Sequence, residues 1–381
     1  MTKQLILVLS ILTSLVGNTA IAQSRTLKVA ILENLKIEKL STDKYATDYM
    51  DGIQVASKAA TESNINVEVR TFFYGKEPLA IIEKVPEVKA WDPDLVIGPR
   101  SSSMFLMLRD HFKDTLVLSP FATANDVADL PRNFYSLTLP NKFFNQAVLN
   151  MIVERFPKKA LAPIIEVDCK NCMDFAAAIE TSAKASGVVV RDRVTYLNKS
   201  AESVPIDSLA ANVQATDIVL LPNTSYTSGA VVARLADHLK RSELVVIGGD
   251  GWGDWTSSYV GKVKSQFAYA GYRVTPWSFE SSDERTQRFV REFKALKGAA
   301  PAGTAALLSY STLNSALDAL KTYKVPNDKR PIRDQILSAF TMARSKDSNF
   351  RRPVKYAIYK VTQDGEKFVG EAPALTEEQE K

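Results

Sequence analysis

Residues Ile97–Thr123 read IGPRSSSMFLMLRDHFKDTLVLSPFAT, and this stretch decides the fold. An apolar strand, Asp94–Gly98, runs into a small-residue turn. Apolar spacing predicts a helix over Ser102–Phe112 that begins within Ser101–Ser103. A second apolar strand, Leu116–Ser119, ends in the turn Pro120–Thr123. Two consecutive βα turns are therefore expected to present hydroxyls and open backbone N–H groups side by side. Helix N-termini carry about +0.5 of a charge and unsatisfied donors, so the pattern suits a ligand with an anionic end. In an open α/β sheet, ligands bind just outside the carboxyl ends of the strands, where both turns fall.

The same alternation extends in both directions. Before the quoted stretch come strand Leu27–Leu32, helix Thr42–Thr61, strand Asn66–Tyr74 and helix Leu79–Ala90. A short strand at Phe134–Thr138 follows it, and Pro140 breaks the pattern. The alternation restarts with helix Phe143–Phe156, strand Pro163–Val167, helix Asp174–Ser186 and strand Val188–Leu197. Helix Ile206–Gln214, strand Asp217–Leu221, helix Ser228–Lys240 and strand Leu244–Gly248 complete a second α/β unit. The fully apolar runs IVLL and LVVI call for a sheet covered on both faces. Strand Phe267–Val274, three helices (Asp283–Leu296, Thr304–Tyr323, Ile332–Met342) and a hairpin, Lys355–Thr362 with Lys367–Val369, end the ordered pattern. The hairpin turns at an Asp-Gly pair, which favours tight turns.

The chain has 381 residues, 45% of them apolar and 24% charged, with a formal net charge of +5. These are globular proportions and fit two domains. Lysine and arginine are interspersed with acids, and no basic block or zinc-finger spacing points to nucleic acid. Lys3, the apolar run Leu5–Val16 and Ala20-Ile21-Ala22 read as a secretory signal over residues 1–22, cleaved after Ala22. The mature protein is therefore expected to be exported and soluble. Cys169 and Cys172 are the only cysteines. In an oxidising compartment this C-x-x-C pair suits a short-loop disulfide; a thioredoxin-like redox pair and a metal site are the alternatives. The chain contains only two histidines, which leaves a zinc site short of ligands.

Gly248–Asp254, GGDGWGD, follows a strand but lacks the Gly-Lys-Ser/Thr ending and the G-x-G-x-x-G spacing of phosphate loops. No G-x-S-x-G nucleophile elbow is present. The residues point to binding rather than to an enzyme, with no cofactor and no metal.

In element order, nearly the whole mature chain resembles a type I periplasmic solute-binding protein of the leucine/isoleucine/valine (branched-chain amino acid) class. Several turns carry the resemblance: Tyr45…Gly52 in DKYATDYMDGIQVA, Ser102 after the third strand, Ser119-Pro120-Phe121-Ala122-Thr123, and Gly248-Gly249-Asp250-Gly251. The segment around Tyr310 is also similar. The resemblance implies an α/β fold of two doubly wound parallel-sheet lobes joined by three crossovers. The breaks near Pro140, Thr275-Pro276 and Ser345–Pro353 would be those crossovers. Lobe 1 would hold residues 25–140 and 277–345, lobe 2 residues 141–276 and 346–372, with 373–381 an acidic tail.

The family's ligand sits between the lobes. By resemblance, Ser102, Ser119, Ala122 and Thr123 would hold a carboxylate and ammonium, and Asp250 would meet the ammonium. Tyr45 and Trp252 would line the apolar part, with Thr224 and Tyr226 reaching the cleft. Cys172 stands where the family places a tyrosine, which removes an aromatic wall. Arg100 is an extra cation suited to a second ligand carboxylate or to solvent. The implied role is the periplasmic binding component of an ABC-type importer, a monomer that takes an amino acid or similar small polar ligand by hinge closure and delivers it to an inner-membrane permease. A ligand sensor or envelope scaffold on the same fold is the alternative.

Overall fold

The computed structural model describes residues 25–33, 44–62, 64–75, 79–138, 140–197, 204–214, 216–222, 225–240, 243–249, 252, 265–301, 303–323, 325, 328–346, 356–362 and 364–373. Residues 1–22, expected as a secretory signal, and the last eight residues lie outside the described residues.

Five parallel strands form the first sheet: β1 (Arg25–Glu33), β2 (Ile65–Phe73), β3 (Leu95–Ile97), β4 (Leu116–Ser119) and β5 (Phe134–Ser136), in the order β2-β1-β3-β4-β5. Helices α1 (Lys44–Thr61), α2 (Ala80–Trp91) and α3 (Ser102–Met107) connect them. Strand alternation sorts the side chains into two cores. Val29, Ile31, Leu95, Ile97, Leu116 and Leu118 join a core that also includes Tyr49 and Ile53 of α1. Ala30, Leu32, Val96 and Val117 face the opposite core, with Ile81, Val85 and Phe105. Both faces are thus covered, which is why the strands read as continuous apolar runs.

The second sheet has seven strands in the order β12-β11-β10-β9-β8-β6-β7. They are β6 (Leu161–Glu166), β7 (Val194–Tyr196), β8 (Ile218–Leu221), β9 (Leu244–Gly248), β10 (Tyr269–Thr275), β11 (Tyr356–Thr362) and β12 (Gly365–Ala372). β11 pairs antiparallel with both β10 and β12. Helices α4 (Asn141–Arg155) and α5 (Lys170–Ala185) supply one covering core, with Ile165, Leu220 and Ile247 beneath. Helices α6 (Ile206–Ala210) and α7 (Ser225–Leu239) supply the other, with Ile164, Val219 and Val246. Helices α8 (Glu284–Lys297), α9 (Thr304–Thr322) and α10 (Ile332–Lys346) return to the first sheet, whose core takes Phe289, Leu313 and Phe340. The chain therefore passes between the two cores after β5, after β10 and after α10. No described helix is long and apolar enough to cross a membrane.

The crossover after β10 faces two ways. Trp277 and Phe279 pack against the first core, with Phe279 stacked 6.2 Å from Phe289. Ser278 and Glu280 instead meet β11. The Tyr359 hydroxyl donates to Glu280 at 2.5 Å, and Ser278 Oγ lies 2.6 Å from that hydroxyl. Beside them Arg273 forks onto Glu366 at 3.0 and 2.6 Å and lies over the Tyr359 ring.

Three expectations from the sequence change. The helix expected over Ser102–Phe112 ends at Met107. Beyond it, Leu108, Arg109 and His111 donate to carbonyls three residues back, so the chain tightens while Leu108 and Phe112 stay buried. The strand expected over Val188–Leu197 pairs only at Val190 and at Val194–Tyr196. Its partner β6 carries Pro163, which has no N–H for the ladder at that point. The helix expected over Ile206–Gln214 stops at Ala210.

Candidate functional site

β1, β3 and β4 pair in parallel, so their carboxyl ends share one edge of the first sheet. Three features gather there. Gly98 ends β3 with φ +97°, and a Cβ on it would sit 2.4 Å from the Leu32 carbonyl oxygen, so only glycine lets the chain turn so close to β1. The Gly98–Pro99 peptide is cis. Arg100 then reaches back to Glu33, 2.8 Å away and only 4% exposed. Arg100, expected as an extra cation, is thus partnered by a buried carboxylate, with its own side chain 25% exposed. The Tyr74 hydroxyl lies within reach of the same field. Burial, reinforced by the Glu33 charge and opposed by Arg100, holds its ionisation well above the usual tyrosine range. Glu33 and Tyr74 escaped the sequence reading. The available signal was an acid closing a strand whose preceding four residues, Val29–Leu32, are all apolar.

Ser102 joins the two turns. Its Oγ accepts the backbone N–H of Thr123 at 3.0 Å and of Ala124 at 3.1 Å. A hydroxyl has two acceptor lone pairs and one proton, so Ser102 is left with its proton to offer. Ser102 is not the helix cap. That position belongs to Ser101, whose hydroxyl lies 2.9 Å from Ser103 Oγ. Ser119 is fully buried. It donates to the Pro99 carbonyl at 2.7 Å and accepts the N–H groups of Ala122 and Phe121.

These bonds correct the expected picture of the turn. The backbone N–H groups of residues 121–124 are taken by Ser119 and Ser102 and do not stand open to an anion. Ser119 and the buried Ala122 frame the turn from behind, while Ser102 and Thr123 are partly exposed. The turn also reaches the second unit. Asn141 N–H at the start of α4 donates to the Thr123 carbonyl at 2.7 Å, and Lys142 N–H to Asn125 Oδ1 at 3.3 Å. Two of the orphan donors of α4 are thereby capped by the site's own loop.

On the second sheet, β6, β8 and β9 pair in parallel and bring their carboxyl ends to one edge. Cys169 and Cys172 form a disulfide at the β6 end, where α5 begins. Asp250 and Thr224 lie outside the described residues, as do the side chains of Tyr45 and Tyr226.

Trp252 is placed differently from the expectation. It is only 2% exposed and belongs to the core under α6 and α7. A Cβ on Gly248 would lie 1.9 Å from its Cδ2, and one on Gly271 2.9 Å from its Cζ3. Two strand glycines thus leave a slot that the indole fills, so Trp252 is a core residue and not a ligand wall. Tyr310 lies in α9, where its hydroxyl donates to Glu292 and accepts from Arg288. Among the described residues, no group of three or more metal-ligating side chains occurs.

No family model matches the chain, and no curated protein matches it in sequence. Solved structures do match its fold. The branched-chain amino acid transporter substrate-binding protein LivJ of Streptococcus pneumoniae, in complex with isoleucine, aligns with TM-score 0.69 at 15% identity, over 92% of this chain and 99% of its own. An ABC transporter substrate-binding protein of Desulfitobacterium hafniense, in complex with leucine, aligns with TM-score 0.70 at 16% identity, over 91% and 100%. A solute-binding protein of R. palustris in complex with benzoate gives TM-score 0.70 at 14% identity, over 93% and 98%. Two sheets each wound on both faces, three passages of the chain between them, and alignment over almost the full length of these structures lead to one conclusion: the chain has the two-lobed α/β fold of the type I solute-binding proteins.

Proposed function

We propose that this protein is the exported solute-binding component of an ABC-type importer, binding a small carboxylate such as an amino acid between its lobes. The observation that carries this reading is Ser102, whose two lone pairs are engaged by Thr123 and Ala124. Its remaining proton is a donor at the carboxyl edge of the sheet, suited to an anionic oxygen. The ligands held by the three proteins of like fold, isoleucine, leucine and benzoate, share a carboxylate and differ in the ammonium. Thr123 supplies a second hydroxyl beside Ser102. Asp250 is assigned to the ammonium, with Tyr45, Thr224 and Tyr226 at the cleft.

Core membership supports a first lobe of residues 25–140 and 277–345 and a second of 141–276 and 346–372. The lobes close on the ligand by bending at the crossovers, and the closed monomer is delivered to a membrane permease. The secretory signal read over residues 1–22 supports a periplasmic location. The ligand is captured and released unchanged.

A thermal-shift screen of amino acids, aromatic carboxylates and the matching amides tests this, joined to native mass spectrometry of co-purified ligand. A carboxylate should raise the melting temperature by mass action and its amide should not. If amides and carboxylates shift alike, or no carboxylate binds at all, the proposal fails. A carboxylate lacking an ammonium that binds as well as its amino acid would remove the role given to Asp250.

A further inference from the structure

The C-x-x-C pair is not among the groups assigned to the carboxylate, and it stands at the start of a helix. We propose that Cys169–Cys172 is a thiol–disulfide exchange site whose substrates are thiols, with Cys169 the sulfur they attack. Cys169 caps the sixteen-residue helix α5, and the Cys172 N–H donates to its Sγ at 3.2 Å. A thiolate left on Cys169 would keep that donor and sit at the positive end of the helix, and both stabilise it. A stabilised thiolate leaves faster in exchange.

The two cysteines differ in burial. Cys172 is 6% exposed within the α4–α5 core, while Cys169 is only partly buried against it. The bridge also closes a loop of two intervening residues. Loop-closure entropy grows with loop length, so a bridge this short constrains the unfolded chain less than a longer one would. Val167 is 39% exposed and Leu197 55%, and the Val167 N–H bonds the Tyr196 carbonyl, which brings the two positions together. These exposed apolar side chains lie at the end of β6 that leads into Cys169.

The chemistry balances. A thiolate attacks Cys169 Sγ, the S–S bond breaks, and its electron pair goes to Cys172 Sγ, which takes a proton. A mixed disulfide remains on Cys169. A second thiolate attacks the external sulfur of that mixed disulfide and releases Cys169. Two thiols are oxidised to one disulfide, and the bridge is reduced to two thiols.

The test uses the full folded protein. It is incubated with reduced glutathione or dithiothreitol, quenched with acid, alkylated and weighed by mass spectrometry, with far-UV circular dichroism as the fold control. The bridge should open in both thiols while the fold is retained. Cys172→Ser and Cys169→Ser are then each treated with oxidised glutathione. Cys169 should form the mixed disulfide at least about ten-fold faster than Cys172. A bridge that stays closed in both reductants until the protein unfolds overturns the proposal, as does preferential capture of Cys172.

Discussion

Trp252 and Gly248 offer a sharp test of the second lobe, because the structure requires their costs to be coupled. Trp252 fills the slot above Gly248, where a Cβ would lie 1.9 Å from the indole. Gly248 has no positive φ, so alanine there meets no backbone strain and its whole cost comes from the ring. Gly248→Ala should destabilise by about 1–3 kcal/mol, the usual penalty of overpacking a closed core. Trp252→Ala should cost about 3–5 kcal/mol through lost burial and the cavity left behind. In the double variant the new methyl enters the space vacated by the indole. The double variant should then be no less stable than Trp252→Ala alone, giving a coupling of about 1–3 kcal/mol. Urea denaturation followed by far-UV circular dichroism measures all four proteins without relying on tryptophan fluorescence, and unchanged m-values would place the effect in the native state. Additive costs would refute the slot. So would a Trp252→Ala protein of near-normal stability that loses ligand, since that is the behaviour of a cleft wall.

Three further outcomes are expected. Ser102→Ala strands the N–H groups of Thr123 and Ala124 and should cost about 1–3 kcal/mol in urea denaturation, while also weakening any carboxylate-dependent thermal shift. Arg273→Met takes from Glu366, 8% exposed at the side chain, the guanidinium that it binds through two oxygens. It should cost about 3–5 kcal/mol, with part of the loss recovered by adding Glu366→Gln. Burial pushes the Glu280 carboxyl up, but the hydrogen bonds from Tyr359 and Ser278 outweigh it and hold it below the usual glutamate value. A carboxyl lowered on folding stabilises above its unfolded pKa, and that contribution is lost as pH falls through the folded value. The stability advantage of the wild type over Glu280→Gln should therefore shrink on acidification below about pH 4, the ordinary glutamate range; an advantage that grows in acid would contradict the pairing.

The sheets were legible because a strand covered on both faces must be apolar at every position, and LVVI or IVLL has few other uses. The turn after β3 was legible for a related reason: small and hydroxyl residues between two such strands mark the carboxyl edge. What the residues did not disclose was direction. Ser102 reads as a hydroxyl near a helix start, but its spending both lone pairs on Thr123 and Ala124 depends on how two loops twenty residues apart settle against each other. Trp252 follows GGDG and looks poised over a cleft. Its burial depends on β9 and β10 pairing so that Gly248 and Gly271 lie under one ring, a register absent from local sequence. Arg100 reads as a surface charge until Gly98 turns it toward Glu33. In each case local chemistry named the group, and tertiary packing chose its partner.

The segment that leaves β10 has its odd positions, Trp277 and Phe279, in one core and its even positions, Ser278 and Glu280, on Tyr359 of the other sheet. Its length is therefore constrained in parity as well as in reach. One residue added or removed ahead of Trp277 would exchange the two sets, turning a serine and a glutamate toward the aromatic core and two aromatic rings toward the hydroxyl. A change of two residues would restore every assignment. Among natural variants of this chain, insertions here should come in pairs, although a tether that merely joined two bodies would tolerate any number.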